Sequence, residues 1–278
     1  MGINRQIKLR RMVYIFLCSM LFVGSVHAQT EIGALLRDYE TKAAQGAPAS
    51  YDDAEKTLER FERADNSTIA TALPTILNAA TSQYVSVRRV AAMALYQISS
   101  RRDEQALLAP DTATLASLLV DPDIPIRRVS ILAIGSLQPD GNSPFVPALK
   151  SFLARPDAVS TIGAAVASIL LKAAPDDPNS TNAVVQFMQR QDHTSMSRAE
   201  TLQGIEFAKS HNREVAKEVA RYADDPDEQV SVHAIETLQR MGPDVVLDSR
   251  QSLSRIARDG SRSSGVRAAA TKALSASQ

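Results

Sequence analysis

An all-α solenoid of about seven stacked helical hairpins is the fold this sequence predicts. Three observations carry it: one residue pattern recurs six times at near-constant spacing, each copy has the phase of an α-helix, and turn residues separate the copies. The composition agrees. Of 278 residues, 44% are hydrophobic and 22% charged, enough apolar side chains for a packed core and too many for a disordered chain. Aromatics are only 5% and Trp is absent, which argues against a β-sandwich or an aromatic sugar-binding cleft. The 31 basic and 31 acidic residues cancel, so the chain carries no electrostatic footprint for nucleic acid.

The recurring segment is clearest at Val87-Arg88-Arg89-Val90-Ala91-Ala92-Met93-Ala94-Leu95 and Ile126-Arg127-Arg128-Val129-Ser130-Ile131-Leu132-Ala133-Ile134. It returns at Val230-Ser231-Val232-His233-Ala234-Ile235-Glu236-Thr237-Leu238 and Val266-Arg267-Ala268-Ala269-Ala270-Thr271-Lys272-Ala273-Leu274. Weaker copies start at Ile162 and Ser197, so the anchors 87, 126, 162, 197, 230 and 266 lie 39, 36, 35, 33 and 36 apart. Positions 0, 4, 7, 8 and 11 from each anchor fall on one stripe at 100° per residue, and the small residues at 4 and 7 admit a neighbouring helix.

Another apolar, helix-compatible stretch precedes each copy: Ile69 to Ala79, Leu115 to Val120, Phe145 to Leu153, Val184 to Met188, Val215 to Tyr222 and Val245 to Ile256. Between the elements stand Asp121-Pro122-Asp123, Pro139-Asp140-Gly141-Asn142, Pro175-Asp176-Asp177-Pro178-Asn179, Asp225-Pro226-Asp227 and Gly242-Pro243-Asp244. Pro ends a helix there, while Asp, Asn and Ser accept from the unpaired N–H groups of the next. No window alternates as a strand would. Each unit is therefore a helical hairpin that buries its apolar face only against its neighbours. Ahead of the first clear copy, Glu31 to Ala44 and Tyr51 to Ala64 read as a charged, amphipathic capping hairpin within 29–65, and the repeat array occupies 66–278.

Residues 1–28 read as a secretory signal peptide: Arg5, Lys8, Arg10 and Arg11, then an apolar run from Met12 to Val26, then Val26-His27-Ala28 with small residues at the −3 and −1 places. The run of about 15 residues is short of the ~20 a membrane span needs. Cleavage after Ala28 leaves 27 basic residues against 31 acidic ones, about −4, and removes Cys18, the sole cysteine. The expected product is periplasmic or secreted, with no membrane association after cleavage.

The repeat unit resembles the HEAT repeat, whose second helix carries Asp, then Val-Arg, then Ala and Ala-Leu. Asp stands five before the anchor at Asp121, Asp157, Asp192 and Asp225, and Arg follows it at Arg88, Arg127, Arg198 and Arg267. Pro74 and Pro147 sit inside first helices, as HEAT units often have them. Ser82 and Ser261 depart from the pattern at the Asp place, and Gly163 and Ser231 at the Arg place. The resemblance spans about residues 66–277 and implies a right-handed, HEAT/armadillo-like superhelix whose second helices line a concave, partner-binding surface. The Asp and Arg positions are read as a structural ladder between adjacent hairpins, each partly exposed pair contributing ~0–1 kcal/mol.

Motifs for chemistry are sparse. His193, His211 and His233 are scattered over three units, without the paired His-Glu motifs of HEAT-like deoxyhypusine hydroxylases. No nucleophile elbow, Walker loop or dinucleotide fingerprint occurs. Asp224-Asp225-Pro226-Asp227-Glu228 lacks the ligand spacing and central Gly of an EF-hand loop and reads as a capping turn. No catalytic, cofactor or metal site is assigned. Positions 2, 6 and 9 of the second helices point away from the buried stripe: Arg89, Met93 and Tyr96; Arg128, Leu132 and Gly135; Ala164, Ser168 and Leu171; Ala199, Gln203 and Glu206; Val232, Glu236 and Gln239. This face grades from basic to acidic and suits an extended polypeptide better than a small molecule. The candidate partner contacts are Arg89, Met93, Tyr96, Arg128, Leu132, Gln203, Glu206, Glu236 and Gln239. An anion at Arg89 and Arg128 stands as a second use of the basic end. The expected function is a non-enzymatic protein-binding scaffold without cofactors; the alternative is a HEAT-like lyase or cofactor-binding enzyme of the bilin lyase or hydroxylase type.

Overall fold

The computed structural model describes residues 32–47, 51–101, 103, 105–158 and 161–276, and residues 1–28, expected from the sequence to be a signal segment, lie outside them with Cys18. Every regular element among the described residues is helical. The chain forms two compact units that divide after Leu137.

In the first unit, helix α1 covers 32–44 and α2 Tyr51–Arg63. Ile32, Leu36 and Tyr39 of α1 and Phe61 of α2 are buried, and the Thr57 hydroxyl donates to the Tyr39 oxygen at 2.6 Å. Next come α3 (Asn66–Ala80) and α4 (Val85–Ser100), then a 3-10 turn Gln105–Asp111, α5 (Thr112–Leu118) and α6 (Ile124–Ser136). Helix α3 packs on α4 and α5 on α6, while the two second helices α4 and α6 pack side by side.

The second unit repeats this plan with α7 (Phe145–Leu153) and α8 (Thr161–Ala173), α9 (Pro178–Met188) and α10 (Ser195–Ala208), and α11 (Arg213–Tyr222) and α12 (Glu228–Met241). It ends with α13 (Pro243–Asp248), α14 (Arg250–Arg258) and α15 (Ser264–Ala276). Second helices stack in chain order, α8 on α10, α10 on α12 and α12 on α15, and first helices do likewise, α7 on α9 and α9 on α11. Contacts between consecutive hairpins in sequence order make each unit a solenoid stack.

The stripe read from the sequence is the buried one. Val87, Ala91, Ala94, Leu95 and Ile98 are inaccessible to solvent, as are Ile126, Ser130, Ala133 and Ile134, and Val230, Ala234, Thr237, Leu238 and Met241. Two hydroxyls on the stripe are satisfied within their own helix, Ser130 donating to the Ile126 carbonyl and Thr201 to the Ser197 carbonyl, each at 2.8 Å. Two glycines set how closely helices meet. A Cβ on Gly204 of α10 would stand 2.8 Å from the Ala164 carbonyl oxygen of α8. A Cβ on Gly163 would stand 2.1 Å from the Ala158 carbonyl oxygen and 2.7 Å from the Phe187 ring.

Of the five expected capping turns, three supply a side-chain cap, at Asp123, Asp177 and Asp227. The turns at 139–142 and 242–244 do not, because the N-caps of α7 and α13 are Pro144 and Gly242, and Asp65 and Asn212 cap α3 and α11 in addition. Asp65 accepts from Thr68 N, Asp123 from Ile126 N, Asp177 from Asn179 N and Ser180 N, Asn212 from Glu214 N and Val215 N, and Asp227 from Gln229 N and Val230 N. The Ser180 hydroxyl, the largest cause, brings the half-buried Asp177 carboxyl down to about 2. Gly242 ends α12 with φ +124°, a backbone conformation costly for residues bearing a Cβ. One expectation is corrected: Val245 to Ile256 is two helices, with a break at Ser249. Both sides of the break bury their apolar residues (Val245, Val246; Leu253, Ile256), and the Asp248-Ser249 step between them favours turns over helix interior.

The Asp and Arg positions do link hairpins. Arg88 reaches Asp121 at 2.7 Å and Arg198 reaches Asp225 at 2.6 Å, with both carboxylates buried. Each arginine also donates to carbonyls of its own interhelical loop: Arg88 to Ser82 O and Gln83 O, Arg127 to Asp121 O, and Arg198 to His193 O. Where the Arg place holds Gly163 or Ser231, an arginine of the following hairpin serves that loop instead. Arg190 donates to the carbonyls of Arg155 and Pro156, and Arg262 to those of Asp224 and Asp225. Both departures from the repeat pattern thus have a compensating donor one hairpin on.

Candidate functional site

The candidate contacts fall in both units, and each set is described by itself. In the first unit, Arg89 is exposed but engaged: it holds Asp123 with two hydrogen bonds of 3.1 and 2.6 Å, and this guanidinium draws the Asp123 carboxyl below the usual carboxylate range. Arg128 is exposed and has no hydrogen bond or ion pair among the described residues. Leu132 is 52% exposed, on the same helix. Met93 and Tyr96 are half-buried. Tyr96 lies in a cleft of about 350 Å³ with Phe61, Ile69, Gln97, Ile98 and Arg101, beside the first hairpin rather than on an open face.

In the second unit, Gln203 is exposed, while Glu206, Glu236 and Gln239 are half-buried. At the acidic end one guanidinium serves two carboxylates. Glu206 accepts from Arg240 and, at 2.9 Å, from the Thr237 hydroxyl; His233 stands 3.4 Å away, and Arg240 also pairs with Glu236 at 3.6 Å. Arg89 and Glu206 spend their charge on neighbouring hairpins, which leaves Arg128 as the unpaired charge of the first set and one excess carboxylate in the second. Two expected face positions are buried: Ala164 is 3% and Leu171 2% exposed. At Ala164 the cause is Gly204, which brings the α10 backbone against the α8 carbonyl.

The helical phase missed the most exposed apolar side chains on this surface. Met196 (73%) and Phe207 (65%) of α10 lie beside Gln203, seven and four residues away along one stripe. Ten positions from the anchor, just outside positions 2 to 9, is where Phe207 sits; an aromatic off the buried stripe was the available signal.

The three histidines do structural work. His193 is buried, with Nδ1 2.7 Å from the Ser197 hydroxyl and Nε2 2.8 Å from the Phe187 carbonyl, and it meets the Phe187 ring edge-on. Burial pushes its pKa down. His211 Nδ1 lies 2.6 Å from the Met241 carbonyl at the end of α12. A polar cleft of about 560 Å³ is lined by Arg190, Arg198, Glu218, Arg221, Tyr222 and Asp225, whose groups bind one another or the backbone. Buried Glu218 takes Gln189 and Arg221, both at 2.8 Å, and Tyr222 donates to Met188 O. Among the described residues no group of three or more His, Cys, Asp or Glu is placed to hold a metal ion, and no helix is long and apolar enough to cross a membrane.

Comparison with known proteins gives the fold and no more. No family profile and no curated protein matches the chain. The chain is similar to a crystal structure of an engineered protein at TM-score 0.50 and 15% identity, covering 74% of this chain and 98% of that one. A second engineered protein aligns at TM-score 0.52 and 17% identity, over 88% of this chain and 67% of its own. A designed armadillo repeat protein aligns at 14% identity over 89% of this chain and 100% of its own, with a TM-score of 0.35, too low to bear on the fold. The class is a helical repeat solenoid.

Proposed function

We propose that this protein is an exported, non-enzymatic scaffold of HEAT-like hairpins that holds a protein partner on the exposed faces of its second helices. One observation carries the reading. The polar groups of the 560 Å³ cleft are committed to one another or to backbone, whereas the second helices present uncommitted side chains, Arg128 and Leu132 in one unit and Met196, Gln203 and Phe207 in the other. A stack of hairpins offers long faces rather than an enclosed pocket, which suits a polypeptide. An enzyme would need convergent titratable groups in a dry site.

Cross-linking in the producing cell, with a photoreactive residue at Leu132 or Gln203, tests the partner. A specific protein adduct from these positions, absent when the same residue is placed at buried Leu170, is the expected result. No adduct from either face would overturn the scaffold reading. Export is tested on the purified protein: its N-terminus should begin at Gln29, and retention of residues 1–28 would overturn it.

A further inference from the structure

Two of the arginines that follow an anchor close an ion pair with the next hairpin, and they do it through the same atoms. Nε of Arg88 stands 2.7 Å from Oδ2 of Asp121, and Nε of Arg198 stands 2.6 Å from Oδ2 of Asp225. Each aspartate lies five residues before the following anchor and is held by its own turn. Oδ1 of Asp121 accepts from Asp123 N, and Oδ1 of Asp225 from Asp227 N. Arg267 occupies the same place on α15, where its Nε is buried without a hydrogen-bond partner. Arg127 and Arg198 donate to loop carbonyls as well, whereas the Arg267 guanidinium makes no hydrogen bond or ion pair among the described residues. A buried donor with no acceptor is costly, and folded proteins rarely keep one unused.

Neighbouring side chains leave that place empty. From Arg250 to Ala276 there are six cations and one acid, Asp259, which accepts from Ser261 and stands 3.9 Å from Arg262. Glu228 of α12, beside the start of α15, accepts from the Ser263 hydroxyl. The surface next to Arg267 is also open where its counterparts are closed. Five residues past their anchors, Ala92, Ile131, Ala167, Leu202 and Ile235 are all buried, but Thr271, one turn on from Arg267, is exposed. Lys272 and Ser275 beside it are exposed too. Side chains this polar suit a polar partner surface rather than a further apolar repeat.

We propose that Arg267 is the seat for an aspartate of a partner protein, presented on an Asp-x-Asp turn that opens a helix and lies over Thr271. The two pairs inside the chain supply the pattern: one carboxylate oxygen caps the turn while the other faces Nε. Asp121 and Asp225 are both buried in their pairs, so an aspartate seated in the same way is shielded from water and from salt. This contact lies on the α14–α15 hairpin and does not depend on the partner surface proposed around Leu132 and Gln203.

A photoreactive residue at Thr271 in the producing cell tests the seat, with mass spectrometry reading the linked segment. The expected adduct is one protein, linked within a few residues of an aspartate at a helix start. That protein, once purified, should bind the full chain, and should bind Arg267→Met at least about tenfold more weakly. Arg267→Lys, which keeps the charge but not the planar fork, should recover part of the loss. Arg267→Met retains the apolar stem, and circular dichroism checks that both variants keep their helices. Equal binding to Arg267→Met, a linked segment without an acid, or no adduct at Thr271 would overturn the seat; adducts at Leu132 or Gln203 would still leave the scaffold reading standing. An adduct to the chain's own peptides would make the occupant a second copy and overturn the partner protein.

Discussion

Gly204→Ala isolates the closeness of the helix joint as a single methyl group. An exposed Gly-to-Ala change inside a helix stabilises by about 1 kcal/mol through propensity alone. At Gly204 the new Cβ would lie 2.8 Å from the backbone oxygen of Ala164, and relief to an ordinary contact requires α8 and α10 to part by roughly half an ångström. Overpacking of this kind costs about 1–3 kcal/mol, so the net expectation is a loss of about 1 kcal/mol rather than a gain. Two other glycines calibrate it. At Gly265 the Cβ meets the Glu228 carboxylate end at 2.9 Å, which can swing aside, and the Ser263 hydroxyl at an ordinary 3.7 Å, so Gly265→Ala should stabilise by about 0.5–1 kcal/mol. At Gly163 both a backbone oxygen and the Phe187 ring stand in the way, so Gly163→Ala should cost about 3 kcal/mol. Urea unfolding followed by circular dichroism gives the ranking, and hydrogen exchange should place the Gly204→Ala loss in α8 and α10. A Gly204→Ala protein as stable as Gly265→Ala would refute the argument, because the backbone contact would then not limit how α8 and α10 pack.

Further expectations follow from the links between and within hairpins. Asp121→Ala leaves the half-buried Arg88 guanidinium without its carboxylate and should cost about 3 kcal/mol; Arg88→Met with Asp121→Ala should cost less than that single change, as a double-mutant cycle in urea would read. His193 is held neutral by burial, so its folded pKa lies below the unfolded value near 6.5. The unfolded chain then takes up a proton first as pH falls, and stability should be full above about pH 6.5 and decline on going down to pH 5. His193→Asn should flatten that decline in thermal melts, and an unchanged slope would count against the assignment. Thr194→Ala removes the oxygen that accepts from Ser197 N at 3.1 Å and should cost about 1 kcal/mol, read as faster exchange in the first turn of α10.

The second helices were legible because their pattern is set by a local demand: small residues where helices touch, at positions a single helix repeats every few residues. The caps were legible for the same reason, since an Asp three before Ile126 or Val230 needs only its own helix to be useful. What escaped is what depends on the neighbour. Ala164 points away from its own hairpin yet is covered, because the side chain missing at Gly204 belongs to the next one. Arg89 and Glu206 look like free surface charge until partners 34 residues along the chain are brought beside them. The break at Ser249 escaped because apolar residues continue in phase on both sides of it.

The two ways of serving a loop carbonyl give the second unit a direction of weakness. The α9–α10 loop is braced by an arginine of its own hairpin, Arg198. The α11–α12 loop borrows Arg262, which stands between α14 and α15. When the last hairpin frays, that loop loses the donor to its Asp224 and Asp225 carbonyls, and α12 is loosened along with α15. Fraying from that end should therefore proceed two hairpins at a step and halt at α10, where the bracing is local again.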